Sequence, residues 1–228
     1  MKGLILNKPT DPSVIFDLPA PIEGSWQTLP ATLADMLDQR LREFGAHDEV
    51  SDILGLRVLP LAFRPGWMLC DFQEGAGNGP HKLHSVIYGP DGVSLLDGSS
   101  APLHQGNIEH GIDLSDATKQ AQYLRLFCMF VRGEYGPFEI VQSAQGLTFE
   151  KGVSAIFNRL TPVENDAGDM LWRATVHYNE ALFDVEFLLH PDGQVTMKDD
   201  THICDGVTRD PELNFAKTAR YRSPQGQE

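Results

Sequence analysis

The sequence contains few cysteines and no long apolar run. Its three cysteines, Cys70, Cys128 and Cys204, are widely spaced and form no Cys-x-x-Cys pair. An odd number at this spacing argues against a disulfide framework or a zinc knuckle. No stretch approaches the roughly 20 apolar residues of a membrane span. The apolar run from Gly3 to Leu6 is too short for the core of a signal peptide. We therefore expect a cytoplasmic protein that does not insert into a membrane.

Basic residues are scarce relative to acidic ones. The 228 residues include 18 Lys and Arg against 32 Asp and Glu, which gives a formal net charge of −14. Phosphate binding needs clustered basic side chains, so this balance argues against a nucleic-acid partner. Much of the acidic excess lies between Glu164 and Asp200. That local excess would suit a cationic ligand or a metal better than an anionic ligand.

The local motifs of common enzyme classes are also absent. The chain has no Gly-x-Ser-x-Gly elbow, zincin string, dinucleotide fingerprint or EF-hand loop. His81 and His84 form a His-x-x-His string, but at the start of a strand this spacing sends the two side chains to opposite faces. Cys204 follows His202 closely, yet no third group completes a catalytic set. These absences favour a protein that binds rather than catalyses.

Proline and glycine divide the chain into elements. Five prolines between residues 7 and 30 predict an extended N-terminal segment, because proline blocks helices and central strands. Apolar residues at helical spacing predict two helices, at about 32–44 and 115–132. The broad apolar stripe of the second helix indicates burial against a sheet. Residues 98–114 are predicted to form a loop.

Apolar runs separated by turn residues predict the strands. One antiparallel set is expected between residues 53 and 97. A C-terminal antiparallel meander is expected at 153–163, 170–178, 181–189 and 194–203. The sequence therefore predicts an α+β fold, with this meander sheet, a second smaller antiparallel strand set and two packed helices.

The composition shows no obvious linker between the two halves of the chain. We therefore expect one compact unit over residues 1–228, with a flexible tail at 207–228. The alternative is a division into two subdomains, 1–142 and 153–206.

Turn lengths predict how the strands of the meander pair. A two-residue turn at Asn179-Glu180 places Tyr178 opposite Ala181. The following rows then pair Val176 with Phe183, Ala174 with Val185, Trp172 with Phe187, Thr175 with Asp184, and Arg173 with Glu186. A bulged turn at Pro191-Asp192-Gly193 would pair Phe187 with Met197 and Glu186 with Lys198. Arg173, Glu186 and Lys198 would then form a structural ionic ladder on a solvated face.

The same register predicts one unusual row. Asp184 falls opposite Asp200, while His177 and His202 flank Leu182 on the same face. Paired carboxylates raise one another's pKa, and histidine with aspartate can ligate a metal or relay a proton. These four residues are the candidate acid/base or metal cluster, and an exposed acidic rim is the alternative. Asp199 would point to the apolar face, so we expect a bend at Lys198 or a backbone partner for Asp199.

Three functional hypotheses follow. The first is a non-catalytic binding or adaptor domain without a cofactor, whose partner is a protein or a small molecule. The second is an enzyme or metal-binding domain that uses His177, Asp184, Asp200 and His202, with a divalent metal as its cofactor. The third is a structural subunit of a homo-oligomer, joined through a sheet edge or the proline-rich segment.

Overall fold

The fold is α+β, with mostly antiparallel sheets. The structure, a computed structural model, describes residues 18–29, 31–43, 53–74, 82–163, 170–210, 213–216 and 219–222. These residues form three helices, α1 (Ala31–Glu43), α2 (Ala101–His110) and α3 (Ala117–Phe130). None of the described helices is long and apolar enough to cross a membrane.

The described residues form sixteen strands in chain order, most of them short. They are β1 (Gln27–Thr28), β2 (Ile53–Pro60), β3 (Met68–Glu74), β4 (Lys82–Gly89), β5 (Gly92–Leu95), β6 (Arg132–Gly133), β7 (Gly136–Pro137), β8 (Glu139–Val141), β9 (Leu147–Phe149), β10 (Thr161–Val163), β11 (Leu171–Tyr178), β12 (Ala181–Leu189), β13 (Val195–Asp205), β14 (Val207–Arg209), β15 (Leu213–Ala216) and β16 (Ala219–Arg222).

Two compact units account for the contacts between described residues. One contains the described residues up to Leu61, those of 65–97 and those from Leu213 onward. The other contains Ala62–Arg64 and the described residues from Gly98 to Asp210. The segment 143–152, which separates the alternative subdomains predicted from sequence, lies inside the second unit. The single compact unit over residues 1–228 stays a prediction.

Several elements differ from the sequence-based prediction. Strands β14, β15 and β16 occupy described parts of the expected flexible tail, 207–228. Residues 7–17 of the proline-rich segment lie outside the described residues. The predicted strand 153–163 is wrong over 153–160, and only β10 is a strand there. The predicted loop 98–114 is wrong over α2.

The first unit is built on a seven-stranded sheet. Its order is β1-β2-β3-β4-β16-β15, and β5 pairs with β4. Strands β2 to β5 form the set expected from sequence, and β1 with the hairpin β15–β16 extends it. Alternate residues of the central strands meet one face of α1 in an apolar core that contains Leu37, Leu41, Leu56, Val58, Cys70, Phe72 and Val86.

The opposite face of this sheet carries a buried row of polar residues. Arg57, Asp71 and Ser85 lie side by side on β2, β3 and β4, and Asp71 is fully buried. One carboxylate oxygen of Asp71 accepts from Arg57 Nη2 at 2.9 Å. The other accepts from Ser85 Oγ at 2.5 Å and from Arg220 Nη2 at 3.0 Å. Asp71 thus ties β16, 149 residues away in sequence, to the centre of the sheet.

We expect Asp71→Ala to destabilise the protein strongly. The substitution leaves two buried guanidinium groups without this carboxylate, and breaking a buried ion pair in this way typically costs about 3–5 kcal/mol. Urea unfolding at pH 7 measures the change. The control Asp35→Ala removes an exposed carboxylate from α1 and should shift the free energy of unfolding by less than about 0.5 kcal/mol. Equal effects of the two substitutions would contradict the role given to Asp71.

The second unit contains a five-stranded sheet with α3 packed against it. Its order is β10-β11-β12-β13, and β8 pairs with β11 beside β10. Helix α3 begins after its N-cap Asp116, whose carboxylate accepts the Lys119 N–H at 2.9 Å. Gln120 of α3 accepts from Trp172 Nε1 of β11 at 3.2 Å. The predicted contact between the long helix and the sheet is therefore present.

Buried polar groups position the short helix α2. Asn107 Nδ2 donates to the hydroxyl of Tyr123 on α3 at 2.9 Å and to the Asp192 carbonyl at 3.3 Å. Arg64 Nη2 donates to Asn107 Oδ1. The Tyr123 hydroxyl in turn donates to the Gly193 carbonyl at 2.6 Å. This network joins α2, α3 and the turn between β12 and β13.

The turn requires glycine at its last position. Gly193 has a φ of +81°, and a Cβ there would lie 2.2 Å from Asn107 Nδ2. Both the backbone conformation and the close approach exclude a larger residue. The Pro-Asp-Gly sequence therefore specifies the turn and also makes room for the Asn107 amide.

Tyr123→Phe should lower the free energy of unfolding by about 1–3 kcal/mol, because it leaves the buried Gly193 carbonyl without its donor. Chemical denaturation followed by circular dichroism measures this loss. The matched control is Tyr135→Phe, which removes a hydroxyl from a side chain that is 62% exposed. The control should be close to neutral, and a Tyr123→Phe variant as stable as wild type would contradict the network.

Candidate functional site

The hairpin of β11 and β12 has the predicted register in every row. Tyr178 opposes Ala181, Thr175 opposes Asp184 and Arg173 opposes Glu186. The turn residues Asn179 and Glu180 have φ values of 51° and 59°. Positive φ at both positions is typical of a type I′ turn, whose twist suits a two-residue hairpin. This part of the prediction is confirmed.

The next hairpin departs from the predicted register after its first rows. Phe187 opposes Met197, as predicted, but Glu186 opposes Asp199 and Asp184 opposes Thr201. The register shifts between Glu186 and Phe187 because Lys198 is an extra residue in β13. The predicted pairs Glu186–Lys198 and Asp184–Asp200 are therefore wrong. The expected bend at Lys198 is confirmed as this bulge.

The bulge separates the candidate acid/base or metal cluster into two pairs. Asp200 opposes Val185 and His202 opposes Phe183, whereas His177 and Asp184 belong to the other face of the sheet. Since residues that oppose each other share a face, Asp200 and His202 lie across the sheet from His177 and Asp184. Within the described residues, no group of three or more His, Cys, Asp or Glu side chains could hold a metal ion.

Three of the four candidate residues make contacts with their own neighbours. His177 Nε2 lies 2.9 Å from the Val207 carbonyl. Asp184 accepts from Arg173 Nε at 2.9 Å and from Asn158 Nδ2 at 2.9 Å. His202 Nε2 lies 3.0 Å from Asp205 Oδ1.

The predicted ionic ladder also takes a different form. Arg173 opposes Glu186 but makes its ion pair with Asp184, on the diagonal. Hydrogen bonds from Arg173 and Asn158 hold the pKa of Asp184 below its usual value, against a smaller effect of burial. Lys198 is the extra residue at the bulge and does not lie opposite Glu186. What remains is one ion pair between two adjacent strands.

The cysteines are poorly suited to nucleophilic catalysis. Burial raises the pKa of Cys128 to about 12 and raises that of Cys70 further. Burial and the nearby Asp205 also raise the pKa of Cys204. Because the thiolate is the nucleophile, a raised pKa lowers the reactive fraction at neutral pH.

The remaining histidines that the sequence singles out are dispersed. His84 stacks on Phe72 with ring centroids 5.0 Å apart, and His81 lies outside the described residues. His104 stacks on Phe127 with a centroid distance of 5.8 Å. His110 lies 3.7 Å from a carboxylate oxygen of Glu109.

Three aromatic rings meet near the turn of the β11–β12 hairpin, and sequence reasoning missed them. This aromatic cluster consists of Tyr135, Phe138 and Tyr178. Phe138 stacks on Tyr178 at a centroid distance of 4.6 Å with 17° between the planes. Tyr135 meets Tyr178 at 6.1 Å and 65°. Tyr135 is 62% exposed, so most of this side chain is open to solvent.

Close backbone packing holds the aromatic cluster in place. The backbone N–H of Tyr135 donates to the Tyr178 hydroxyl at 3.2 Å. A Cβ at Gly133 would lie 2.3 Å from that hydroxyl oxygen and 3.0 Å from Phe138 Cζ. Glycine is therefore required where the β6–β7 hairpin crosses the Tyr178 ring. These contacts hold the Tyr178 ring, and the exposed Tyr135 ring meets it at 65°.

Acidic side chains flank the aromatic cluster. Glu134 precedes Tyr135, Glu180 follows two residues after Tyr178, and both are exposed. The nearby Glu139 is paired with Arg209 at 2.8 Å. The chain thus presents one exposed aromatic ring, two half-buried rings and exposed carboxylates close together in sequence at these hairpin turns.

Comparisons with known proteins give no further guide to this surface. No family model matches the chain, and no similar protein is found among curated proteins or among solved structures.

The Arg173–Asp184 ion pair should make the free energy of unfolding depend on pH in the acid range. A carboxylate whose pKa is lowered by folding stabilises the protein above its unfolded pKa of about 4, and this contribution is lost as the pH falls through the folded pKa. We expect Asp184→Asn to flatten the acid side of a plot of unfolding free energy against pH. Urea unfolding between pH 7 and pH 2.5 measures the slope.

A double-mutant cycle with Arg173→Met assigns this effect to its partner. If the arginine lowers the pKa, Asp184→Asn should change the acid slope much less in the Arg173→Met background. An unchanged effect in that background would show that another group stabilises the carboxylate.

Proposed function

We propose that this protein is a non-catalytic binding module whose binding surface is the aromatic cluster of the second unit. The observation that carries the proposal is the exposure of Tyr135 beside Tyr178 and Phe138. Aromatic side chains are enriched at binding surfaces because they bury much area and lose little conformational entropy. The Tyr178 ring is already held by Phe138 and Gly133, so this ring should lose still less conformational entropy on binding.

The contacts of the candidate catalytic residues support a binding role over an enzymatic one. His177 lies at hydrogen-bond distance from the Val207 carbonyl, Asp184 accepts from Asn158, and His202 lies at hydrogen-bond distance from Asp205. The pKa of each described cysteine is raised. The four residues of the candidate acid/base or metal cluster divide between the two faces of the sheet. Their geometry therefore does not support the hypothesis of an enzyme or metal-binding domain.

The edge of β13 is a less suitable binding surface than the aromatic cluster. Seven consecutive residues of this strand, Thr196 to His202, are exposed, as in an edge open to pairing with another chain. However, β13 carries a bulge at Lys198 and a second register shift between Leu182 and Phe183. The Asp199 carboxylate also accepts the Asp200 backbone N–H at 3.0 Å. Bulges and charged side chains are the features by which proteins prevent edge pairing, so we do not place a homo-oligomer interface here.

Cytoplasmic location and the absence of a nucleic-acid partner stay predictions. Three free cysteines are compatible with a cytoplasmic location. The net charge of −14 supports the prediction that the protein has no nucleic-acid partner.

Small organic probes test the position of the binding surface. We expect phenol and isopropanol, added to ¹⁵N-labelled protein, to shift the amide resonances of Tyr135, Gly136 and Tyr178 more than those of other exposed residues. Tyr135→Ala should abolish these shifts, because the most exposed ring is removed. The matched control Ile156→Ala removes an apolar side chain that is 85% exposed and should leave them unchanged. Shifts that are spread over the surface or centred elsewhere would refute this location.

A further inference from the structure

We propose that the aromatic cluster, together with Glu180, binds an arginine side chain of a protein partner. This inference rests on the proposed function and names the chemistry that the surface recognises. The exposed ring of Tyr135 offers a flat π-face, and exposed carboxylates at Glu134 and Glu180 flank the two tyrosines in sequence. A guanidinium group can satisfy both, because it stacks on aromatic rings and donates to carboxylates in a planar fork.

The first unit contains an internal example of the same recognition. The guanidinium carbon of Arg57 lies 4.0 Å from the centroid of the Trp26 ring, while Arg57 Nη2 donates to Asp71 at 2.9 Å. An arginine there contacts an aromatic face and a carboxylate at once. Tyr135 and the exposed carboxylates of Glu134 and Glu180, which lie close in sequence to Tyr135 and Tyr178 respectively, present these two kinds of group on the surface.

Charge complementarity favours a cation over an anionic or neutral partner. The net charge is −14, and two basic residues of the second unit have acidic partners of their own. Arg209 is paired with Glu139 at 2.8 Å, and Arg173 is paired with Asp184. An incoming arginine would therefore meet the exposed carboxylates of Glu134 and Glu180, while Arg173 and Arg209 are already paired.

The backbone at Glu180 supports a role for its side chain. Glu180 has a φ of +59°, a conformation for which glycine is the preferred second residue of a type I′ turn. An Asn-Gly turn would form this hairpin with less strain. Keeping glutamate at the strained position is understandable if its carboxylate contacts a ligand.

Three short peptides test the proposal. The probes are Ac-Gly-Arg-Gly-Arg-Gly-NH₂ and the same peptide with lysine or with citrulline in place of arginine. Citrulline has nearly the shape of arginine but no charge, and lysine has the charge but not the planar fork. In amide chemical-shift titrations at 0.15 M NaCl, we expect the arginine peptide to bind about two- to fivefold more tightly than the citrulline peptide. The lysine peptide should lie between them.

Two substitutions in the same turn separate binding from folding. Glu180→Gly relieves the strained backbone, so it should raise the melting temperature and yet weaken binding of the arginine peptide by about twofold or more. The matched control Asn179→Gly changes the same turn without removing a carboxylate and should leave binding unchanged. A more stable Glu180→Gly variant that binds as well as wild type would overturn the role of the carboxylate.

The outcomes distinguish this proposal from the one on which it rests. If phenol and isopropanol shift the resonances of the aromatic cluster but the three peptides bind with equal affinity, the arginine proposal fails. The proposed binding surface is then retained. If the lysine peptide matches the arginine peptide, stacking of the guanidinium plane is refuted. If neither solvents nor peptides locate at the cluster, both proposals fail.

Discussion

The apolar cluster around Leu182 is the constraint on which the second sheet depends. It joins Leu182 to Val141 and Val207, and Ile203 and Cys204 pack against it. Two register shifts in β13 place Cys204 opposite Leu182 on the face of this cluster. Burying one such apolar side chain contributes about 1.5–3 kcal/mol, whereas a cross-strand charge pair contributes about 0.2–1 kcal/mol. Apolar packing around Leu182 therefore outweighs the unfavourable charge pair that this register creates, in which Glu186 lies opposite Asp199.

This balance explains which parts of the candidate site could be predicted. The register of β11 and β12 follows from a two-residue turn, and the local sequence specifies such a turn fully. The register of β12 and β13 depends on bulges, which accompany packing against Val207 of β14 and Val141 of β8. Strand β8 is remote from both strands in sequence. Helix α2 was missed for a similar reason. Its buried face holds Asn107 and Gly106 beside only one large apolar residue, Leu103, so it lacks the apolar periodicity on which the helix prediction relies.

The two most informative groups of side chains were also invisible to local patterns. Asp71 and Arg220 are 149 residues apart, and each looks like a polar interruption of a strand until the sheet brings them together. Tyr135 and Tyr178 are 43 residues apart and meet only because the β6–β7 hairpin crosses the end of β11. The general fold class could be read from turn residues and apolar runs. Contacts that join distant strands through buried charge or stacked rings could not.

The distribution of charge connects these observations to recognition. In the described residues, several of the scarce basic side chains are held by acidic ones inside a unit, as Arg57 is by Asp71 and Arg209 by Glu139. Each such pair is neutral, so the net charge of −14 is carried by the remaining residues, among which basic side chains are scarcer still. Such a surface attracts cations in general, but its field is screened over about 8 Å at physiological salt. Discrimination between cations must therefore come from contacts at short range, and in the proposed site the Tyr135 ring and the Glu180 carboxylate would supply those contacts.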